Sequence, residues 1–394
     1  MGWFQEAKAW KEADPSVTYR QIAKRFGVAR QTVKNRFCAE RKRNQGTKFP
    51  SADELIEQEK AKLQRQHEQR VLKKLVRERG RTELMCDAMR EAIAVLPPFP
   101  IPEFKPIDSE YDDEDAVLLI SDCQIGQVVD PEETGGLGEY NLEVFKQRRR
   151  ALTKSVRKIV KIHSNAYNVR RLFVPFLGDI VENDIIFRGQ KDYVDADVVS
   201  QVFIAADEFC SMLLELAQDF EEVHVIGIGG NHGRTGREGE NKTWVNWDYI
   251  AYKFMEERLR NQARIKFYIP KSWWTLLEVR GHSFLLLHGD DIRAWNSLPY
   301  YGIDRADARW TKMLQVNQLS YEYMLIGHHH NSATIDSPVG EKIVNGCWPG
   351  GSQYSLKQLN TSSKPSQWFF GVHERRGISW RYKIDLVAGP YGGG

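Results

Sequence analysis

Long hydrophobic runs are missing from this 394-residue chain. Its longest apolar stretches, such as Leu172–Leu177 and Phe284–Leu287, fall far short of the ~18 residues that a membrane span needs, so no membrane partner is expected. Cysteine is scarce too. Cys38, Cys86, Cys123, Cys210 and Cys347 are scattered, odd in number and form no Cys-x-x-Cys pair. That excludes a disulfide scaffold or a zinc knuckle and points to a reducing cytosol. The opening MGWFQEAKAWKEAD has no apolar h-region and no small-residue cleavage site, so no secretion signal and a cytoplasmic location are expected. No internal repeat stands out.

What is present suffices for a folded body. Apolar residues make up 41% and aromatics 11%, which excludes wholesale disorder, and the length suits two or three domains. The net charge of +3 is unevenly spread. Residues 1–50 hold 12 Lys+Arg against 4 Asp+Glu, residues 51–106 hold 11 against 10, and the remainder carries −6. A basic head on an acidic body suits contact with a polyanion; a solvated basic surface is the plainer alternative.

The chain divides into four segments. Residues 1–48 show short helical patterns broken at Asp14-Pro15 and Gly27. Residues 49–106 form a charged linker. It holds a long helix with Ser51 and Glu54 as an N-terminal cap, then the stiff cluster Pro97-Pro98-Phe99-Pro100-Ile101-Pro102. Its sparse Leu55, Leu63, Leu72 and Leu75 hold no heptad. From 107 to 388, β-rich runs (Ala116–Ile120, Leu172–Leu177, Val223–Ile228, Ser283–Leu287, Tyr323–Ile326) alternate with helices near 143–165, 197–219, 246–261 and 303–318. Strands follow at Lys342–Val344, Gln367–His373 and Ile378–Ile384. Alternation of this kind means an α/β layered fold. Residues 389–394 read as a flexible tail.

Tyr19–Cys38, YRQIAKRFGVARQTVKNRFC, resembles a helix-turn-helix. Ala23 is small where the second helix crosses the first, Gly27 suits a left-handed turn, and Val33 plugs the second helix into the core. Ile22, Phe26 and Val28 fill the other inward positions. Ala29 replaces the usual capping Ser, and Arg36 stands at a commonly apolar position that Phe37 can substitute. Arg30, Gln31, Lys34 and Asn35 then face outward, residue types suited to base or phosphate contacts in DNA. Packing of that helix on protein is the alternative.

Five motifs follow the apolar runs of the body: Ser121-Asp122-Cys123-Gln124, Gly178-Asp179-Ile180-Val181-Glu182, Gly230-Asn231-His232-Gly233-Arg234, Leu287-His288-Gly289-Asp290 and Gly327-His328-His329-His330. Strand ends on one side of an open α/β sheet converge on a crevice, so these loops can build one site. Their donors are oxygens and imidazoles without thiolate, a set suited to Mn, Fe or Zn.

In this order the motifs resemble the calcineurin-like metallophosphoesterase superfamily over about residues 115–335. The expected fold is therefore a two-sheet α/β sandwich core with a small all-α helix-turn-helix domain and a long linker helix. The resemblance implies that Asp122 and His330 bind a first metal. It implies that Asp179 bridges two metals, that Asn231, His288 and His328 bind the second, and that His232 is the general acid. His329, between two ligands, should point away. Gln124 departs from the pattern, standing where a His usually ligates the first metal. Its neutral amide oxygen should weaken that site and tilt it towards Mn²⁺, with Zn²⁺ or Fe²⁺ as the other candidates for the two divalent ions. Arg234 is either a phosphate ligand or a surface residue. His67, His163, His224, His282 and His373 lack ligand spacing and read as structural.

The GNHGR, LHGDD and GHHHN set looks like DNA-repair exonucleases of the SbcD type and their phage-encoded relatives. With the basic head, this gives the leading expectation: a two-metal DNA phosphodiesterase placed on DNA by its helix-turn-helix, with a homodimer expected only by analogy. The alternatives are a phosphomonoesterase or cyclic-nucleotide phosphodiesterase with a regulatory head, and a non-catalytic DNA-binding protein on an esterase scaffold.

Overall fold

The computed structural model describes residues 2–44, 59–70, 112–293, 299–352 and 362–387, with single positions beside these stretches. The chain splits into two compact units, Met1–Leu84 and Met85–Gly394. Much of the expected linker helix lies outside the described residues, but 59–70 is helical. The tail at 389–394 also lies outside them.

The first unit packs helices α1 (Trp3–Ala13), α2 (Tyr19–Phe26) and α3 (Arg30–Asn44). Thr18 opens α2 with a reciprocal capping box to Gln21, and Gly27 closes it in the left-handed conformation (φ +64°), which a side chain would resist. Ala7, Val17, Ile22 and Val33 are buried together, with Ala23, Phe26, Val28 and Phe37 packed around them. Phe37 sits against Phe4 and Tyr19, so it takes the apolar place that Arg36 leaves.

The second unit is a mixed α/β sandwich of two sheets. One sheet has six strands in the order β11-β10-β1-β2-β3-β4, with β1 (Asp113–Leu118), β2 (Asn168–Phe176), β3 (Glu222–Gly227) and β4 (Ile265–Tyr268) parallel. Strands β10 (Ser366–His373) and β11 (Gly377–Asp385) close its edge antiparallel. The other sheet runs β5-β6-β7-β9-β8. Its strands are β5 (Trp274–Val279), β6 (His282–Leu287), β7 (Tyr323–Ile326), β8 (Ala333–Asp336) and β9 (Glu341–Val344).

Three apolar layers hold these sheets. Val117, Leu119, Phe173 and Ile226 of the first sheet meet Phe284, Leu286, Leu325 and Ile343 of the second. Helices α4 (Leu142–His163), α5 (Val198–Leu216) and α6 (Trp247–Arg258) cover the outer face of the first sheet through Phe145, Phe209 and Tyr252. Helix α7 (Tyr300–Gln315) covers the second through Ile303, Trp310 and Leu314. Part of the proline-rich segment lies on this unit: Arg264 donates to the carbonyl of Pro102 at 2.8 Å, and the Arg258 guanidinium covers Phe99. Four of the five histidines read as structural pack or pair locally: His163 stacks on Trp380, His224 on Phe173, His282 bonds to Glu322 and His373 to Asp112, while His67 is exposed on its helix.

Candidate metal centre

All five motifs emerge from the C-terminal ends of parallel strands: β1, β2 and β3 in one sheet, β6 and β7 in the other. The two sheets therefore point their polar loops at a common edge. The loops touch backbone to backbone. A Cβ on Gly178 would lie 2.5 Å from the Gly230 nitrogen, and one on Gly230 would collide with the Asp179 carboxylate. Glycine is required at both positions because the loops approach so closely.

The donor residues themselves adopt strained backbone. Asp122, Gln124, Asp179, His328 and His330 all have positive φ, between +45° and +65°. Each such residue costs about 1–3 kcal/mol and persists only where its surroundings hold it. Here the holding bonds are visible. The Asp122 N–H donates to the carbonyl of Gly178, the Gln124 N–H to that of Asp179, and the His328 N–H to both carboxylate oxygens of Asp122.

Two groups of donors result. Asp179, His288 and His328 place ligand atoms within 4.8 Å of one another. Asn231 joins them, its Oδ1 3.0 Å from His288 Nε2. Asp122, Gln124 and His330 form the second group, with His330 Nε2 3.4 Å from Asp122 Oδ1 and 3.3 Å from Gln124 Nε2.

The first group fits a cation on its own chemistry. His288 Nδ1 lies 2.7 Å from the carbonyl oxygen of Leu177, which only accepts, so Nδ1 carries the proton. Nε2 of the neutral ring then turns a lone pair towards Asn231 Oδ1 and, at 3.1 Å, Asp179 Oδ2. That Asp179 oxygen is buried without a hydrogen-bond partner among the described residues. Three electron-rich atoms facing one another need a proton or a metal ion between them. Without a metal, a proton fills the role. Burial lowers the His288 pKa, but Asp179 outweighs burial and brings it up to about 10. Burial would raise Asp179, yet His288 and His232 hold it well below the usual carboxylate range.

The other imidazoles differ. Burial, with His288 beside it, pushes His328 down to about 4, so it stands neutral and ready to ligate. His329 packs its ring against His328, and burial takes it to about 3. Burial also lowers His330, but the Cys347 thiol and Asp122 carry it above its ordinary value. Cys347 itself is pushed up by burial and more than returned by His330, so its thiol lies below its usual range.

His232 stands beside the first group. Its N–H donates to Asp179 Oδ1 at 2.8 Å, and its Nε2 lies 3.9 Å from Asp179 Oδ2. Nδ1 meets the Glu182 carbonyl at 3.2 Å and the Glu182 Oε2 at 3.1 Å. Burial disfavours the charged ring, but Glu182 and Asp179 raise it to about 9. Arg234 pairs with Asp290 at 2.7 Å, which places its guanidinium beside the loop of His288. Arg30, Gln31, Lys34 and Asn35 are exposed on α3 in the first unit, with Gln31 bonded to Asn35.

Several residues missed by motif spacing build the frame. The buried Asp248 carboxylate accepts from the N–H groups of Asp179, Ile180, Val181 and Gly230, tying two motif loops together. Burial and Asp179 raise its pKa to about 6. Asn183 donates to the carbonyls of His232 and Arg234. Gln367 accepts from the Ser121 N–H and from Asn345. The one sequence cue lies beside Asp248: the Asn246 side-chain oxygen accepts from the Asp248 N–H and caps α6, marking a helix start next to the site.

Fold and donor set together define a mixed α/β protein of two sheets with a candidate divalent-metal centre. No protein-family model matches the chain. By sequence it is similar to the SPbeta prophage-derived uncharacterized protein YonJ of Bacillus subtilis (strain 168). The two are 23% identical over 295 residues, which is 74% of this chain and 67% of that protein. Among solved structures it is similar to vacuolar protein sorting 29 from Cryptosporidium parvum (14% identity, TM-score 0.34, 71% of this chain and 94% of that one). It is also similar to protein PH1004 of Pyrococcus horikoshii OT3 (12%, 0.34, 69% and 87%) and to an archaeal phosphodiesterase (11%, 0.30, 68% and 99%). The functional reading rests on the donor set and not on these likenesses.

Proposed function

We propose that the chain is a calcineurin-like metal-dependent phosphodiesterase that hydrolyses DNA, with its basic first unit acting as a helix-turn-helix anchor. The observation that carries the reading is the convergence of His288 Nε2, Asp179 Oδ2 and Asn231 Oδ1 within 3.1 Å of the His288 nitrogen, a cluster that a proton or a divalent cation must neutralise. Asp179, Asn231, His288 and His328 would hold one divalent cation; Asp122, Gln124 and His330 would hold a second. Cations there would lower the pKa of a water and neutralise charge on a phosphoryl group. The chain's own residues do the rest. Asp122 and Asp179 supply negative charge from strained, bond-locked backbone. His232 keeps a proton on Nε2 because Glu182 stabilises the charged ring through Nδ1, and that proton suits an alkoxide leaving group. Arg234, now paired with Asp290, would exchange that partner for a phosphate oxygen.

The test is incubation with Mn²⁺ and end-labelled DNA, beside p-nitrophenyl phosphate and its bis ester. Cleavage of DNA and the bis ester supports the reading. Turnover of the monoester alone would make the chain a phosphomonoesterase, and no turnover with intact DNA binding would make the body a scaffold.

A further inference from the structure

The second unit is acidic overall, yet one of its helices is strongly basic. Helix α4, LEVFKQRRRALTKSVRKIVKIH, holds eight Lys/Arg and one acid, Glu143. Its neighbour α5 holds three acids and no Lys or Arg. Three of the α4 cations serve the fold: Arg148 donates to the Trp348 carbonyl, Arg149 pairs with Glu208 and Glu215, and Arg157 with Asp219. Arg150, Lys154, Lys158 and Lys161 are exposed. Their spacing puts all four within about 80° of arc on one face, along ~16 Å of helix. The only acid of the helix lies in its first turn, where a helix N-terminus favours it, loosely paired with Arg150 at 3.4 Å.

The stripe also has a direction. Tyr140, just before α4, donates to the carbonyl of Cys123 in the Asp122–Gln124 loop, and Leu142 at the helix start is bonded to Asp195. The N-terminal end of α4 is thus tied to the metal loop, and the cations run away from it.

We infer that the Arg150-Lys154-Lys158-Lys161 face of α4 binds the phosphate backbone of the nucleic-acid strand that enters the metal centre. Charge complementarity selects this occupant: a regular row of cations matches a regular row of phosphates, and an ~16 Å row spans roughly five phosphate steps of one strand. The inference rests on the nucleic-acid reading of the centre and adds where the substrate lies.

The test compares the full chain with K154E/K158E/K161E and with the milder K154Q/K158Q/K161Q. Binding of a fluorescein-labelled duplex and of the matching single strand is followed by anisotropy across a salt series, in EDTA so that no turnover intervenes. Neutralising three phosphate contacts should flatten the slope of log K against log salt by about 2.7 and weaken low-salt binding roughly tenfold or more. Hydrolysis of bis-p-nitrophenyl phosphate should be unchanged, since none of the three lysines belongs to the donor set. An unchanged affinity and slope overturns the inference, as does a loss confined to anionic phosphatidylserine vesicles or to an acidic protein. If the slope flattens but no DNA is cut with metal present, the nuclease reading fails and this surface stands. If DNA is cut and the slope holds, only the surface fails.

Discussion

Glu182 Oε2 lies 3.1 Å from His232 Nδ1, while Nε2 of the same ring faces the Asp179 carboxylate. Glu182 favours the charged ring, and on the proposed reading Nε2 would give its proton to the leaving group. His232→Ala should retain bound metal and lose on the order of 10²–10⁴ in rate on DNA, the scale of a general acid. Glu182→Gln should cost less and shift the alkaline limb of the pH–rate profile downward, because the charged ring loses its partner. A p-nitrophenolate leaving group needs no proton, so its esters should suffer less. Equal losses on both substrates would remove His232 from the role.

The Asp179 carboxylate lies within reach of both His288, at 3.1 Å, and His232, at 3.9 Å. Asp179→Asn removes its charge while keeping its shape, and the expected outcome is loss of bound metal as well as of activity. Metal analysis of the purified variant decides this. Two ions per chain with full turnover would end the assignment.

Gln124 occupies its position with positive φ and points its amide at His330 Nε2. An imidazole there would add a softer, stronger donor. Gln124→His should raise affinity at the Asp122–His330 group and shift metal preference from Mn²⁺ towards Zn²⁺ or Fe²⁺. Calorimetric titration with each ion checks it, and unchanged affinities would mean that residue 124 does not ligate.

Chelated stability and the increment that metal adds should change with pH in opposite senses. In chelator-treated protein, His232 and His288 hold protons more tightly than in the unfolded chain, at about 9 and about 10 against an ordinary 6.5. Their contribution is fully present below pH ~6.5 and fades as pH rises through those values. The melting temperature of chelated protein should therefore fall from pH 7 to 10. Added Mn²⁺ must displace the His288 proton, so the increment it gives should grow over the same window. Thermal melts in paired buffers read both trends, and a chelated Tm that climbs with pH contradicts the proton account.

Much of the site is legible in the sequence because the motifs combine small residues with donors at strand ends. Gly178 and Gly230 are forced by loop contact, and Asp179 and Asn231 follow them directly. What stayed hidden depends on distant partners. Asp248 reads as one more helical acid until its four backbone donors are seen. Gln367 looks like a strand residue, yet it reaches Ser121 across 246 positions. Strands β4, β5 and β8 are not legible in the sequence; at β5 the turn to β6 is Arg280-Gly281, both at positive φ, without the Asn-Gly or Asp-Gly that normally marks such a hairpin. The α4 stripe was masked by averaging, since its cations cancel against acids elsewhere in residues 107–394.

The first unit offers the last test. Val33 is buried while Arg30, Gln31, Lys34 and Asn35 are exposed on the same helix, so the outward residues can be changed without touching the core. Arg30→Ala and Lys34→Ala should each weaken duplex binding by the full chain. A phosphate contact would lower affinity on every sequence and reduce the salt slope by about 0.9; a base contact would lower it only on a preferred sequence. Combining Lys34→Ala with the α4 triple change should lose both contributions nearly additively, since the two surfaces lie on separate units and share no side chain. Single variants that bind random and selected duplexes as tightly as the parent, with the parent's salt slope, would assign α3 to a partner other than DNA.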